Sequence, residues 1–180
     1  MTEKTREREL RMYFLVMYNI SPIQQAIQAG HCVEEYADKY GDTDLYKEYR
    51  KHKTWIILNG GTSNNGLIVD FVNESWVDET KLGSMETYEK YLIDNNIPFA
   101  SFREPDLNNA LSSLCFICDE KVFDWKNYPT FEKWLENNGC NNVSAFFTTP
   151  YDVFYDLWTR FVGGEQNAKL KELIYGKKLA

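Results

Sequence analysis

The chain has 180 residues, 43% of them hydrophobic and 16% aromatic, and carries a formal net charge of −7. That much apolar material excludes global disorder, and the length predicts one core or one core with an appendage. The acidic balance repels anionic partners at long range, so any contact with nucleic acid depends on a local basic patch.

The opening MTEKTRERELRMYFLVMY is a charged stretch followed by an apolar run of only a strand's length, too short for a signal or membrane helix. A soluble, cytosolic chain with no membrane partner is expected. Cys32, Cys115, Cys118 and Cys140 suggest no disulfide framework. Cys115 and Cys118 form a CxxC, but inside an apolar strand pattern, where positions i and i+3 point to opposite faces. Reduced, partly buried thiols are expected, without metal or cofactor. Basic clusters occur at Arg6, Arg8 and Arg11, at Lys47, Arg50, Lys51 and Lys53, and at Lys169, Lys171, Lys177 and Lys178.

Residues 12–18 read as a buried first strand. Ser21 and Pro22 open a helix over 22–38, with Gly41 as its stop. Spacing places Ile23, Ala26, Ile27, Gly30, Val33 and Ala37 on one face of that helix, the expected core face. Gln24, Gln28, His31 and Glu35 fall on another. A short helix over 44–53, a strand over 54–59 and a loop beginning GGTSNN follow; 67–72 is ambiguous in period. Residues 85–96, capped by Ser84, read as a helix with Met85, Tyr88 and Leu92 as its stripe. Strands over 97–103 and 110–117 flank EPDLNN. This order predicts an α/β domain over 1–120, with a small, mixed, mainly parallel sheet and helices on both faces. The aromatic-rich remainder, 121–180, reads as a helical extension whose rings dock on the domain or on a second copy.

Ligands of open α/β sheets collect beyond the carboxyl ends of the parallel strands. NISPIQQ, NGGTSNN and REPDLNN arrive there. The first brings a helix N-terminus, which favours a phosphate or developing oxyanion, although Ser21 and Gln24 also form a capping box that requires no ligand. In the third, Glu104 and Asp106 are candidates for base or orienting carboxylate, and Asn108 and Asn109 for polarising donors. The same residues are ordinary turn formers.

The helix signature in this chain, from Ser21 to Cys32, is similar to that of the type II peptidyl-tRNA hydrolases. Ala26, Gln28 and His31 stand at the signature's alanine, glutamine and histidine. TWIILN, METYEKYLIDNN and FASFREPDLNNALSSLCFI match the family's later elements, so the resemblance covers roughly residues 11–120. It is also similar to a divergent, phage-encoded form, which implies the host cytoplasm. The resemblance implies a four-stranded mixed sheet and hydrolysis of the ester joining peptide to tRNA, without a metal. Gln24, Glu104 and Asp106 would surround the bond. Gln28 and His31 would support them. Apart from the resemblance, the polar turn offers Asn108 and Asn109, and the second basic cluster offers Arg50 and Lys51, as contacts for a tRNA or nucleotide-like ligand. Gln24 replaces the signature lysine, Glu104-Pro105-Asp106 replaces an Asp-Ala-Gly run, and the later glycine-and-threonine motif is absent after Asp119. The alternative is a non-catalytic relative that binds tRNA, a nucleotide or a host protein through the same groove.

Overall fold

A computed structural model describes residues 8–64, 82–140 and 151–180; the ambiguous 67–72 run lies outside them. The chain forms two compact units, one of residues 10–117 with 176–180, the other built on 118–175.

In the first unit, strand β1 (Leu10–Met17) leads into α1 (Pro22–Tyr40) and α2 (Asp44–His52), then β2 (Thr54–Gly61), α3 (Ser84–Asp94), β3 (Phe99–Glu104) and β4 (Ala110–Asp119). The four strands make one sheet in the order β2-β1-β4-β3. The expected mixed character is present: β1 and β2 are parallel, β3 and β4 antiparallel.

Alternation along β1 feeds both faces. Leu10, Met12, Phe14 and Val16 pack in one cluster with Ala29, Cys32 and Tyr36 of α1 and Tyr46 and Tyr49 of α2. Burial pushes the Tyr49 phenol up to about 12, against the Trp55 indole that donates to it. On the opposite face lie the buried Leu15 and Met17, with α3 against β1 and β2. Gly60 lets α3 approach, since a Cβ there would fall 2.3 Å from the Met85 sulfur and 3.0 Å from the Val16 carbonyl oxygen.

One expectation about α1 is overturned. Its buried residues are Gln25, Gln28, Ala29, Cys32 and Tyr36, while Ile23 and Ile27 are 75% and 50% exposed. Two glutamines take the inward stripe because the structure supplies each with a hydrogen-bonding partner (below), and a buried amide so paired costs little. Val33 and Ala37 keep a flanking place against the core.

The second unit is helical, as expected. Among the described residues it holds α4 (Glu120–Phe123), α5 (Phe131–Asn137), α6 (Tyr151–Phe161) and α7 (Glu165–Ile174). Phe131, Leu135, Trp158, Val162 and Ala168 form its core, and the Trp158 indole donates to the Pro129 carbonyl at 3.1 Å. The aromatic stripe is packing.

Lys171 is also buried here. Its ammonium donates to the carbonyls of Lys121 (3.0 Å) and Val122 (2.8 Å) and lies 3.9 Å from the Trp125 ring centroid. Burial pulls its pKa down to about 8. Between that value and the ordinary lysine value of about 10.4, the unfolded chain holds a proton that the folded chain has lost, so folding stability rises with pH. Wild type should gain up to about 1.4 kcal/mol relative to Lys171→Met from pH 8 to pH 9, measured by urea denaturation. The difference between the two proteins reports the amine together with its interaction with the Cys118 thiol. The Cys118 thiol, which burial pushes up, drives stability the other way in both. Equal slopes would show that the amine keeps its proton in the fold.

Candidate functional site

Helix α1 enters at the carboxyl end of β1, and its first turn is fixed by a capping box. The Ser21 hydroxyl accepts from the Gln24 N–H at 3.3 Å, and the Gln24 side-chain oxygen accepts from the Ser21 N–H at 3.0 Å. Gln24 is exposed and belongs to this cap. One residue on, the Gln25 side chain turns inward and donates to the Met17 carbonyl at 3.2 Å, tying α1 to the last residue of β1.

One helical turn further, Gln28 makes two short contacts. Its amide nitrogen donates to a Glu104 carboxylate oxygen at 2.6 Å, and its amide oxygen accepts from the Ser112 hydroxyl at 2.6 Å. The amide orientation is fixed by chemistry, because a carboxylate only accepts and so requires the NH₂ side. Gln28 is 6% exposed and Ser112 fully buried, so a low local dielectric strengthens the chain of bonds.

Ser112 reaches Gln28 because β4 is bulged. Phe102 pairs with Ser113 and Arg103 with Leu111, so Ser112 is skipped in the β3 register, and its hydroxyl lies 3.1 Å from the Phe102 carbonyl as well as near Gln28. An extra residue breaks the two-residue alternation, so Ser112 and Ser113 both face α1. The Ser113 hydroxyl, equally buried, finds no hydrogen-bond partner among the described residues.

The remaining expected residues divide. Asp106 is exposed in the 3₁₀ turn Pro105–Leu107, and its N–H points at the other Glu104 oxygen at 3.5 Å. Asn108 and Asn109 follow with φ of +54° and +56°, left-handed positions that asparagine tolerates. His31 is exposed and stacks on Phe102, with centroids 4.6 Å apart and planes 24° from parallel. Of these, Asp106 touches Glu104 through its N–H, His31 touches Phe102 two residues before it, and Asn108 and Asn109 lie in the turn that follows it. Arg50 and Lys51 do not join them. They occupy the last turn of α2, where cations suit the helix dipole, next to the amino end of β2, which pairs with Arg11. Glu104 ends β3 at the opposite edge, roughly 25 Å away along an eight-residue strand. Arg50 instead lines a cleft of about 630 Å³ with Asp38, Lys39, Tyr40 and Asp42.

Sequence reasoning missed a second buried polar group, on the α3 face. Glu86, fully buried, accepts from the Ser63 hydroxyl at 2.5 Å and from the Asn64 N–H at 3.1 Å, and Ser63 in turn accepts from the Leu111 N–H at 2.9 Å. Glu89 pairs with Arg103 at 2.5 Å. Burial raises the Glu89 pKa, and the Arg103 guanidinium opposes the rise. The available signal was Glu89 itself, which falls with Met85 and Leu92 at i, i+4 and i+7. This network holds residues 62–64 against α3 and β4.

Cys32, Cys115 and Cys118 are buried and Cys140 is partly buried. Cys32 donates to the Ala100 carbonyl and Cys115 to the Cys32 carbonyl, and burial pushes the Cys115 thiol up. Among the described residues no helix is long and apolar enough to cross a membrane, and no group of three His, Cys, Asp or Glu side chains is placed to hold a metal ion. Comparison with protein-family models finds no match to this chain, and comparison with curated proteins finds none.

Proposed function

We propose that the α/β unit is an ester-hydrolysing site of the peptidyl-tRNA hydrolase type, centred on Glu104. The observation that carries this reading is the 2.6 Å contact between Gln28 and Glu104, which joins residues 76 positions apart where β1 and β3 end. Gln28 orients the carboxylate, and Ser112 fixes Gln28. Glu104 takes a proton from water as the water oxygen bonds to the ester carbonyl carbon. The resulting oxyanion collapses, the bond to the ribose oxygen breaks, and Glu104 returns the proton to that oxygen. Asn108 and Asn109 are the nearby amide donors for the oxyanion. Peptidyl-tRNA is a cytosolic substrate, so the reading carries a cytosolic location with it.

A second reading, a non-catalytic domain binding tRNA, a nucleotide or a host protein in the same groove, is favoured by one observation. Gln24 stands at the signature lysine's position, and its side chain is engaged in the helix cap. The test mixes purified protein with peptidyl-tRNA and measures peptide release and tRNA retention separately, for wild type and Gln24→Lys. Hydrolysis predicts release by wild type and a rise of about ten-fold or more in the variant, since about 1.4 kcal/mol is ten-fold in rate. Loss of the capping box should cost about 1 kcal/mol of stability or less. Retention without release in both proteins selects the binding domain, and neither release nor retention removes tRNA as the ligand.

A further inference from the structure

The sheet has two edges. One is β3, which carries Glu104. The other is β2, and residues 178–180 of the same chain lie along it. The Asn59 N–H donates to the Lys178 carbonyl at 2.9 Å, and the Ala180 N–H donates to the Ile57 carbonyl at 3.1 Å. These two bonds frame an antiparallel bridge between Leu58 and Leu179. Gly176, at a φ of +72°, precedes the segment in a backbone conformation that side chains disfavour.

The side chains of this segment follow strand alternation. Lys177 and Leu179 share a face. The Lys177 ammonium sits 3.6 Å from the centroid of the Tyr88 ring on α3, a cation–π contact, and Leu179 lies opposite Leu58. Among the described residues the segment makes a single bridge with β2, far below the pairing that makes a strand independently stable, and Leu179 is 74% exposed.

We infer that the β2 edge is a strand-acceptor site for an extended peptide segment carrying a cation two residues before an aliphatic residue, and that residues 177–180 are its resident, displaceable occupant. An exposed edge presents unpaired N–H and C=O groups that invite another strand. Main-chain bonds give such a site its affinity, and alternate side chains give its selectivity. Here Tyr88 reads the cation, and Leu58 reads the aliphatic residue. A tethered occupant competes at roughly millimolar effective concentration, so a partner segment binds well only once the tether is loosened.

The test uses the full chain carrying Ala180→Pro, which removes the N–H that donates to Ile57, and follows the Asn59 amide by hydrogen exchange. Asn59 should exchange at least five-fold faster in the variant than in the parent, while β1 amides keep their protection. Millimolar pentapeptide GKKLA should restore protection of Asn59 in the variant, and GEKLA should restore it at least three-fold less. Adding Tyr88→Ala should erase the difference between the two peptides. Unchanged Asn59 exchange in Ala180→Pro, no protection by GKKLA, or equal protection by both peptides while Tyr88 is intact would overturn the assignment.

Discussion

Glu104→Gln should lower the rate of peptide release from peptidyl-tRNA by about 10²–10⁴-fold, the range expected when a general base is removed, with little change in melting temperature. The substitution is close to isosteric, and the new amide oxygen still accepts from the Gln28 nitrogen that now lies 2.6 Å from the carboxylate. What disappears is the capacity to take a proton from water. A rate unchanged within about three-fold would remove Glu104 from the chemistry. A large loss of stability alongside the lost rate would show that the pair holds α1 to the end of β3. Ionic strength separates tRNA from other ligands in the same assay: neutralised phosphates release counterions, so retention of tRNA should fall steeply with salt.

The second large effect is expected in the helical unit. Trp158→Ala should destabilise that unit by about 3–5 kcal/mol. Trp158 is almost wholly buried, its ring lies 5.5 Å from those of Phe131 and Tyr155, and its indole N–H is paired with the Pro129 carbonyl. Truncation leaves a cavity and a carbonyl without its donor. Hydrogen exchange at the amides of Phe131, Leu135 and Val162 measures the loss, and β1 amides report whether it stays within the unit. A change below about 1 kcal/mol would mean that the aromatic cluster does not support this fold.

The strands were legible because each is a short, dense apolar run, and the observed ends differ from the expected ones by a few residues. The first helix was legible as a helix, from Ser21, Pro22 and the spacing of its apolar residues, but not in its orientation. Hydropathy turned Ile23 and Ile27 inward. The structure turns Gln25 and Gln28 inward instead, because Met17, Glu104 and Ser112 hold their amides. Partners 76 and 84 residues away leave no local trace. Ser112 was hidden for a related reason: a bulge reassigns the face of a residue, and strand periodicity assumes that none occurs. Glu104 was singled out because a polar turn beyond the strand ends is conspicuous, and the structure pairs it with Gln28. Arg50 and Lys51 were grouped with it on charge alone, and charge carries no information about which end of a strand a helix adjoins. The pairing of residues 178–180 with β2 was illegible in GKKLA, which reads as a solvated charged stretch.

That pairing also sets an order of events during synthesis. Chains leave the ribosome N-terminus first, at about 5–20 residues per second. Strand β2 is made early, and β4 ends at Asp119, but the segment that covers β2 begins at Lys178. For roughly three to twelve seconds after β4 is translated, at that rate, a nascent chain can hold the four described strands before residues 178–180 are there to pair with β2. A slow stretch of codons within the helical unit would lengthen that interval, and a fast one would shorten it. The yield of soluble protein should therefore respond to synonymous changes in the part of the message encoding residues 120–177, with the amino-acid sequence unchanged.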